Sequence, residues 1–315
     1  MEWELKGKFK IKSLGEPSML LGMKVSHDKE KQVIKLSQTH YINKILDCMG
    51  LQHVNPITTP LNPNLNLEVE ETKGDNDQEI DDQASGTCAK VIGSLMYAAI
   101  GTQPDIAFAV HLLGRFTKSP QPKHWTAVKC IFRYLKKTHE YSLTYGGSDQ
   151  IWEPELTMYC DADWASSSDR KSISGYIFLL AGGAVSWSSK KQATVALSTA
   201  EAKYIAATHA AKQILWHRSL LDKLEIQQPE TSVLFSDNQA TITISHHPEF
   251  HTCTKHIDIA HHFLRDLVKS GTIEIIHVSM CDNVADIFMK GLSRPSHEDF
   301  TYGLGVMSNQ GGVLE

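Results

Sequence analysis

YCDADWASSSDRKSISGYIFLL, residues 159–180, is the stretch whose reading decides the fold. It begins on the tail of an alternating apolar run, ELTMYCD from Glu155, breaks at a Ser- and Asp-rich patch, and resumes as a second run, SGYIFLL. Period-two alternation on both sides of a turn-forming patch marks neighbouring strands. A third run, AVSWSS at 184–189, follows a turn at Ala181–Gly183, so three antiparallel strands are predicted. The spacing then becomes helical over Thr199–Lys223 and returns to a strand at SVLFSD (232–237). A short helix after Asp237, a longer one over His256–Lys269, a strand TIEIIHV (272–278) and a last helix from Asn283 complete the order β-β-β-α-β-α-α-β-α. That order predicts an α/β fold, a mixed sheet with flanking helices.

Four acidic residues fall where this scaffold would fix a side chain and leave space beyond it. Asp161 ends the first strand, Glu201 lies in the first turn of the long helix, Asp237 ends the fourth strand, and Asp286 lies early in the last helix. Ligands of α/β sheets gather at strand ends and helix starts. Clustered carboxylates repel unless cations neutralise them, and hard oxygen ligands suit Mg²⁺ or Mn²⁺. Two such ions about 3.5–4 Å apart serve phosphodiester hydrolysis. Taken singly, each residue has a plainer use: Glu201 and Asp286 as complements to a helix N-terminus, Asp161 and Asp237 as turn formers or caps. Asp163 competes with Asp161 for the first place.

Upstream, MLLGMKV and QVIKL, within residues 19–36, read as a β-hairpin around SHDKEK, and a helix follows over Gln38–Cys48 with Ser37 placed to cap it. From Asn55 to Gly86, Pro, Asn, Asp and Glu leave no periodic apolar face, which predicts a linker. Three helices are then predicted by apolar stripes at Ile92, Leu95, Met96 and Ala99; at Ile106, Val110 and Leu113; and at Trp125, Val128, Phe132 and Leu135. Pro104 and Pro122 stand near the starts of the second and third.

At 315 residues the chain can bury more than one core. The N-terminus, MEWELKGKFK, lacks an apolar segment of signal type, and the longest low-charge stretch, Tyr176–Val185, is about half a bilayer span. An intracellular chain, cytoplasmic or nuclear, with no membrane partner is the expectation. Six cysteines without a CxxC pair read as reduced thiols. The net charge of −5 divides into +3 over residues 1–50, −7 over 51–86, +5 over 87–150 and −6 over 151–315. An acidic spacer thus separates two mildly basic segments, which can track phosphates or simply be solvated.

Five segments in series, YCDADWASSSDRKSISGYIFLL, AVSWSSKKQATVALSTAEAKYIA, FSDNQATI, TKHIDIAHHFLRD and NVADIFMK, resemble the RNase H domain of Ty1/copia-type retrotransposon polyproteins. The resemblance implies an RNase H-like fold and a D-E-D-D cluster matching Asp161, Glu201, Asp237 and Asp286, holding two Mg²⁺ or Mn²⁺ ions, with an RNA–DNA hybrid as substrate. FKIKSLGEPSMLLGMKV resembles the end of a reverse-transcriptase palm and its primer-gripping hairpin, with Leu21, Gly22 and Met23 in the hairpin core. SQTHYINKIL, TTPLN, VIGSLMYAAIGTQPDIAFAV and HWTAVKCIFRYLK resemble the thumb and connecting helices. The Tyr-x-Asp-Asp turn of such polymerases does not occur, and Asp81–Asp82 lies in the acidic spacer. No independent DNA synthesis is expected, and the chain reads as the product of an element missing its upstream part, with upstream Pol segments as possible partners and no small-molecule cofactor.

The expected division is 1–54, end of palm with hairpin; 55–86, acidic linker; 87–152, thumb- or connection-like helices; 153–292, RNase H domain; and 293–315, C-terminal tail. Against the family pattern, Lys203 replaces a usual acidic residue, Cys253 a usual Arg and Met289 a usual Thr. Lys190 and Lys191 beside Trp187, Asn238, His256, Gly22 and Met23 are weaker candidates for nucleic-acid contact. Trp125 and Trp164 are assigned to packing. The histidine-rich stretch His246–His262 around Cys253 has only half of a closed zinc pattern and is read as capping and surface histidines. Two rivals remain: a duplex-binding remnant without turnover, and an integrase-type enzyme, whose acidic residues come in a different order.

Overall fold

Among the described residues the computed structural model has two five-stranded sheets. The structure describes residues 7, 10, 12, 15–65, 67, 82–147, 155–165, 167–246 and 255–308, with side chains at all of these except 82–85 and 255–261. The first sheet is antiparallel throughout, in the order β1 (Met19–Leu20), β2 (Met23–Asp28), β3 (Val33–Ser37), β4 (Tyr141–Gly146) and β10 (Val306–Ser308). The second is built from β5 (Leu156–Asp163), β6 (Ile173–Leu180), β7 (Gly183–Lys191), β8 (Ser232–Ser236) and β9 (Ile273–His277). Its order is β7-β6-β5-β8-β9; β6 is antiparallel to both of its neighbours, while β8 runs parallel to β5 and β9 parallel to β8. This is the RNase H-like mixed sheet that the sequence predicts.

Eight α-helices among the described residues accompany the sheets: α1 (Thr39–Cys48), α2 (Asp82–Gly101), α3 (Ala107–Gly114), α4 (Pro122–Thr138), α5 (Thr199–Lys223), α6 (Gln239–His246), α7 (Lys255–Lys269) and α8 (Arg294–Gly303). Alternation along β6 shows how they are layered. Ile173, Ile177 and Leu179 join the core shared with α2, α3 and α4, whereas Tyr176, Phe178 and Leu180 join the core shared with α5. Both faces of β6 are therefore covered, and its run ISGYIFLL is apolar at most positions on either side.

Several expectations change. MLLGMKV is not one strand, because Leu21 and Gly22 both have positive φ and turn the chain between β1 and β2; such a two-residue turn matches the twist of the flanking strands. Helix α2 starts at Asp82, inside the expected linker, and Leu61 and Leu67 from that linker are buried in the main core. Strand β4 was not foreseen. The stretch expected as a C-terminal tail supplies α8 and β10, whose Phe300, Leu304 and Val306 enter the same core. Strand β5 runs on to Asp163. The last helix from Asn283 is only a 3₁₀ turn, Val284–Phe288.

The two sheets meet where the β6–β7 turn reaches β4. Gly146 N–H donates to the Ala181 carbonyl at 2.8 Å, and a Cβ at Gly183 would lie 2.4 Å from the Thr144 carbonyl oxygen. Only glycine permits that approach. No helix among the described residues is long and apolar enough to cross a membrane, and the described cysteines are free.

Candidate active site

Parallel pairing of β5 with β8 sets the first part of the site. Tyr159 is in register with Phe235, so two residues further on Asp161 and Asp237 come side by side. The second part depends on Gly175, which lies across from Asp161 on β6. A Cβ there would be 2.9 Å from both the Ala285 carbonyl oxygen and Phe288 Cβ. The bare backbone lets the 3₁₀ turn lie directly on the sheet, and Asn283, fully buried, ties it down. Its Nδ2 donates to the Cys160 carbonyl at 3.3 Å and its Oδ1 accepts the Ala285 N–H at 3.2 Å. Asp286 is thereby held against Asp161, within hydrogen-bonding range of its carboxyl.

The third part comes from α5. Lys203 Nζ lies 2.9 Å from Asp161 Oδ1 and 2.6 Å from each carboxylate oxygen of Asp237. A second ammonium, Lys290 Nζ, is 2.8 Å from Asp286 Oδ2. Asp161 is 1% exposed; its Oδ1 also accepts the Ala162 N–H at 2.7 Å, while its Oδ2 is buried without a donor. Burial pushes the Asp161 carboxyl well above its ordinary range; Lys203 pulls it down, and Asp286 and Asp237 push it up again. Burial works against the charge of Lys203, but Asp161 and Asp237 outweigh it and hold the ammonium above its ordinary value.

Of the four carboxylates expected to converge, the structure brings together Asp161, Asp237 and Asp286. Glu201, also buried, is engaged at the start of α5. Its Oε2 accepts the Leu197 N–H at 2.7 Å and its own N–H donates to Ser198 Oγ at 3.2 Å, which caps α5, while its Oε1 is buried without a partner. None of the contacts described around the three aspartates includes it. Sequence reading treated Lys203 as a departure from a pattern and missed its place in the site. The signal was present: Lys203 heads the stripe Ala207, Ala210 and Ile214, which packs on the second sheet.

A divalent cation would find Asp161 Oδ2 buried with no partner, as is Glu201 Oε1, but the space between Asp161 and Asp237 is taken by an ammonium. Among the described residues no group of three His, Cys, Asp or Glu side chains is arranged to hold a metal ion. The side chains as they stand do not fit the expected pair of Mg²⁺ or Mn²⁺ ions.

The weaker candidates are dispersed. Lys190 is exposed on β7, and Lys191 Nζ is paired with Asp169 at 2.8 Å. Asn238 Oδ1 accepts the Thr241 N–H at 2.9 Å, which caps α6. Gly22 forms the β1–β2 turn and Met23 opens β2, where Tyr97 Oη donates to the Leu21 carbonyl; no described contact joins this hairpin to the aspartates. Trp125 packs on the main core, whereas Trp164 is nearly half exposed and donates to the Ala196 carbonyl at 3.0 Å. The side chain of His256, and most of the histidine-rich stretch with Cys253, lie outside the described residues.

No family model matches the chain. The Pol polyprotein of transposon TNT 1-94 from Nicotiana tabacum is 38% identical over 310 residues, 98% of this chain and 23% of that protein. The Pol polyprotein of transposon RE2 from Arabidopsis thaliana is 33% identical over 316 residues, 98% of this chain and 21% of that protein. The chain thus spans less than a quarter of the length of these relatives. Among solved structures, RNase H1 of the halophilic archaeon Halobacterium salinarum aligns at 16% identity and a TM-score of 0.31, over 43% of this chain and 94% of that one. With near-complete coverage by transposon relatives, the chain belongs to the Ty1/copia-type retrotransposon Pol polyproteins.

Proposed function

We propose that the chain acts on RNA–DNA hybrids, placing the RNA strand across the aspartate cluster, and that hydrolysis of that strand to 5′-phosphate and 3′-hydroxyl ends is the reaction class of the site. The observation that supports this most is the convergence of Asp161, Asp237 and Asp286, from three separate segments, at one end of β5 and β8. Buried acids are costly in a merely structural role, so their concentration at a strand end argues for work on a phosphodiester. The helical layer α2–α4 would hold the duplex through phosphates without reading sequence, with upstream Pol segments as its natural partners. One observation favours a second reading, a module that binds hybrid without turnover: Lys203 already neutralises two of the aspartates.

The test compares binding of labelled RNA–DNA hybrid, DNA duplex and RNA duplex at one salt concentration, alongside cleavage of each labelled strand in Mg²⁺ by the natural chain, Asp161→Asn and Asp237→Asn. Hybrid is expected to bind most tightly. Any cleavage is expected to be confined to the RNA strand and to vanish in both variants. Equal affinity for the three duplexes, or cleavage that persists undiminished in Asp161→Asn and Asp237→Asn, would overturn the proposal.

A further inference from the structure

Glu201 and Lys203 are two residues apart on α5, which separates them by about 200° around the helix axis. They leave the helix on different sides, and the one paired with the aspartates is Lys203, while Glu201 Oε2 accepts the Leu197 N–H. Its ammonium is within 2.9 Å of Asp161 and 2.6 Å of Asp237, and its side chain is only 15% exposed. Lys290 closes the other side through Asp286. Three carboxylates therefore meet two ammonium groups supplied by the chain, and the Asp161 oxygen without a donor is what a further cation would address. A divalent cation binds carboxylates at about 2.0–2.1 Å and tolerates little distortion. An ammonium bonded to both bridging acids excludes it by space and by like charge.

We propose that Lys203 is a built-in counter-cation that takes the place of a divalent cation between Asp161 and Asp237, so that the natural chain holds hybrid with hydrolysis suppressed. Residue 203 is then the position whose charge decides whether the cluster takes up Mg²⁺ or Mn²⁺. The inference rests on the hybrid reading above, and it makes Lys203 a determinant of cation uptake.

The experiment compares the natural chain with Lys203→Glu, Lys203→Gln and Lys203→Arg in three measurements: thermal unfolding in chelator and in Mg²⁺, calorimetric titration with Mn²⁺, and binding and cleavage of hybrid. In chelator Lys203→Glu is expected to melt below the natural chain, because a carboxylate replaces the ammonium among uncompensated acids. Mg²⁺ is expected to raise its melting temperature and to leave the natural chain and Lys203→Arg unmoved, since only a protein that binds the ion is stabilised by it. Its Mn²⁺ affinity and its rate of RNA-strand cleavage are each expected to exceed the natural chain's by about tenfold or more, the scale on which single groups near a metal tune affinity. Lys203→Gln, which removes the positive charge without adding an acid, is expected to fall between and covers the case in which Lys203→Glu does not fold. Equal Mn²⁺ uptake by the natural chain and a folded variant lacking the ammonium overturns the inference and leaves the hybrid reading standing. Failure of every variant and the natural chain to prefer hybrid overturns the hybrid reading, whatever the cation titrations show.

Discussion

Asp105 and His297 form a buried pair whose titrations oppose each other. Burial raises the Asp105 carboxyl from 3.8 to about 6, against the Tyr134 hydroxyl that donates to it. Burial lowers the His297 imidazole from 6.5 to about 4, while the Asp105 carbonyl and Glu298 act to raise it and Lys137 to lower it. Asp105 thus contributes stability below pH 3.8 that is lost as pH rises through about 6. His297 contributes stability above pH 6.5 that is lost as pH falls through about 4. Each shift is worth about 3 kcal/mol, so in the natural chain the two nearly cancel between pH 4 and 6.5. Urea unfolding of Asp105→Asn is expected to lose about 3 kcal/mol on acidification across that window, and His297→Gln to lose a similar amount as pH rises across it. Flat profiles in both variants would show that neither group titrates as its surroundings dictate.

Elements, rather than single side chains, place the site. The start of α5 is fixed by Ser198 Oγ, which accepts the Glu201 N–H, and by the Glu201 carboxylate, which accepts the Leu197 N–H; Ser198→Ala or Glu201→Ala is expected to cost about 1 kcal/mol in urea unfolding. A loss of several kcal/mol from Glu201→Ala alone would mean that the carboxylate does more than cap the helix. The 3₁₀ turn lies on β6 only because Gly175 has no side chain. Gly175→Ala is expected to lower stability by about 1–3 kcal/mol, since the added carbon meets backbone. In the Lys203→Glu background it is also expected to weaken Mn²⁺ binding, because Asp286 is carried by that turn. Unchanged titrations there would show that Asp286 keeps its position without the close contact.

At the scale of the molecule, the main core runs without interruption from α1 and α2 through β6 and β7 to α8 and β10. Trp187 lies at this junction: its Nε1 donates to the Ala99 carbonyl at 3.0 Å, joining β7 to α2. A shared core and a hydrogen-bonded seam couple the helical layer to the second sheet, so one cooperative transition is expected. Far-UV circular dichroism and tryptophan fluorescence should trace the same urea curve, and truncation after residue 292 should unfold the helical layer along with the first sheet. Separate transitions for the two halves would show that the seam carries little energy.

The sequence by itself determined the second sheet, because a strand buried on both faces and a helix with an apolar stripe differ in period, and period is local. YCDADWASSSDRKSISGYIFLL and the segments after it were enough to place β5–β9 along the chain and to nominate Asp161, Glu201, Asp237 and Asp286. Tertiary structure decided what the periods could not reach. Strands β4 and β10 are short and owe their existence to partners more than 100 residues away. The burial of Leu61 and Leu67 depends on helices that follow them. The choice between Glu201 and Lys203 was set by which side of α5 meets the sheet, because a helix rotates its residues by fixed angles while only packing fixes its rotation about its own axis.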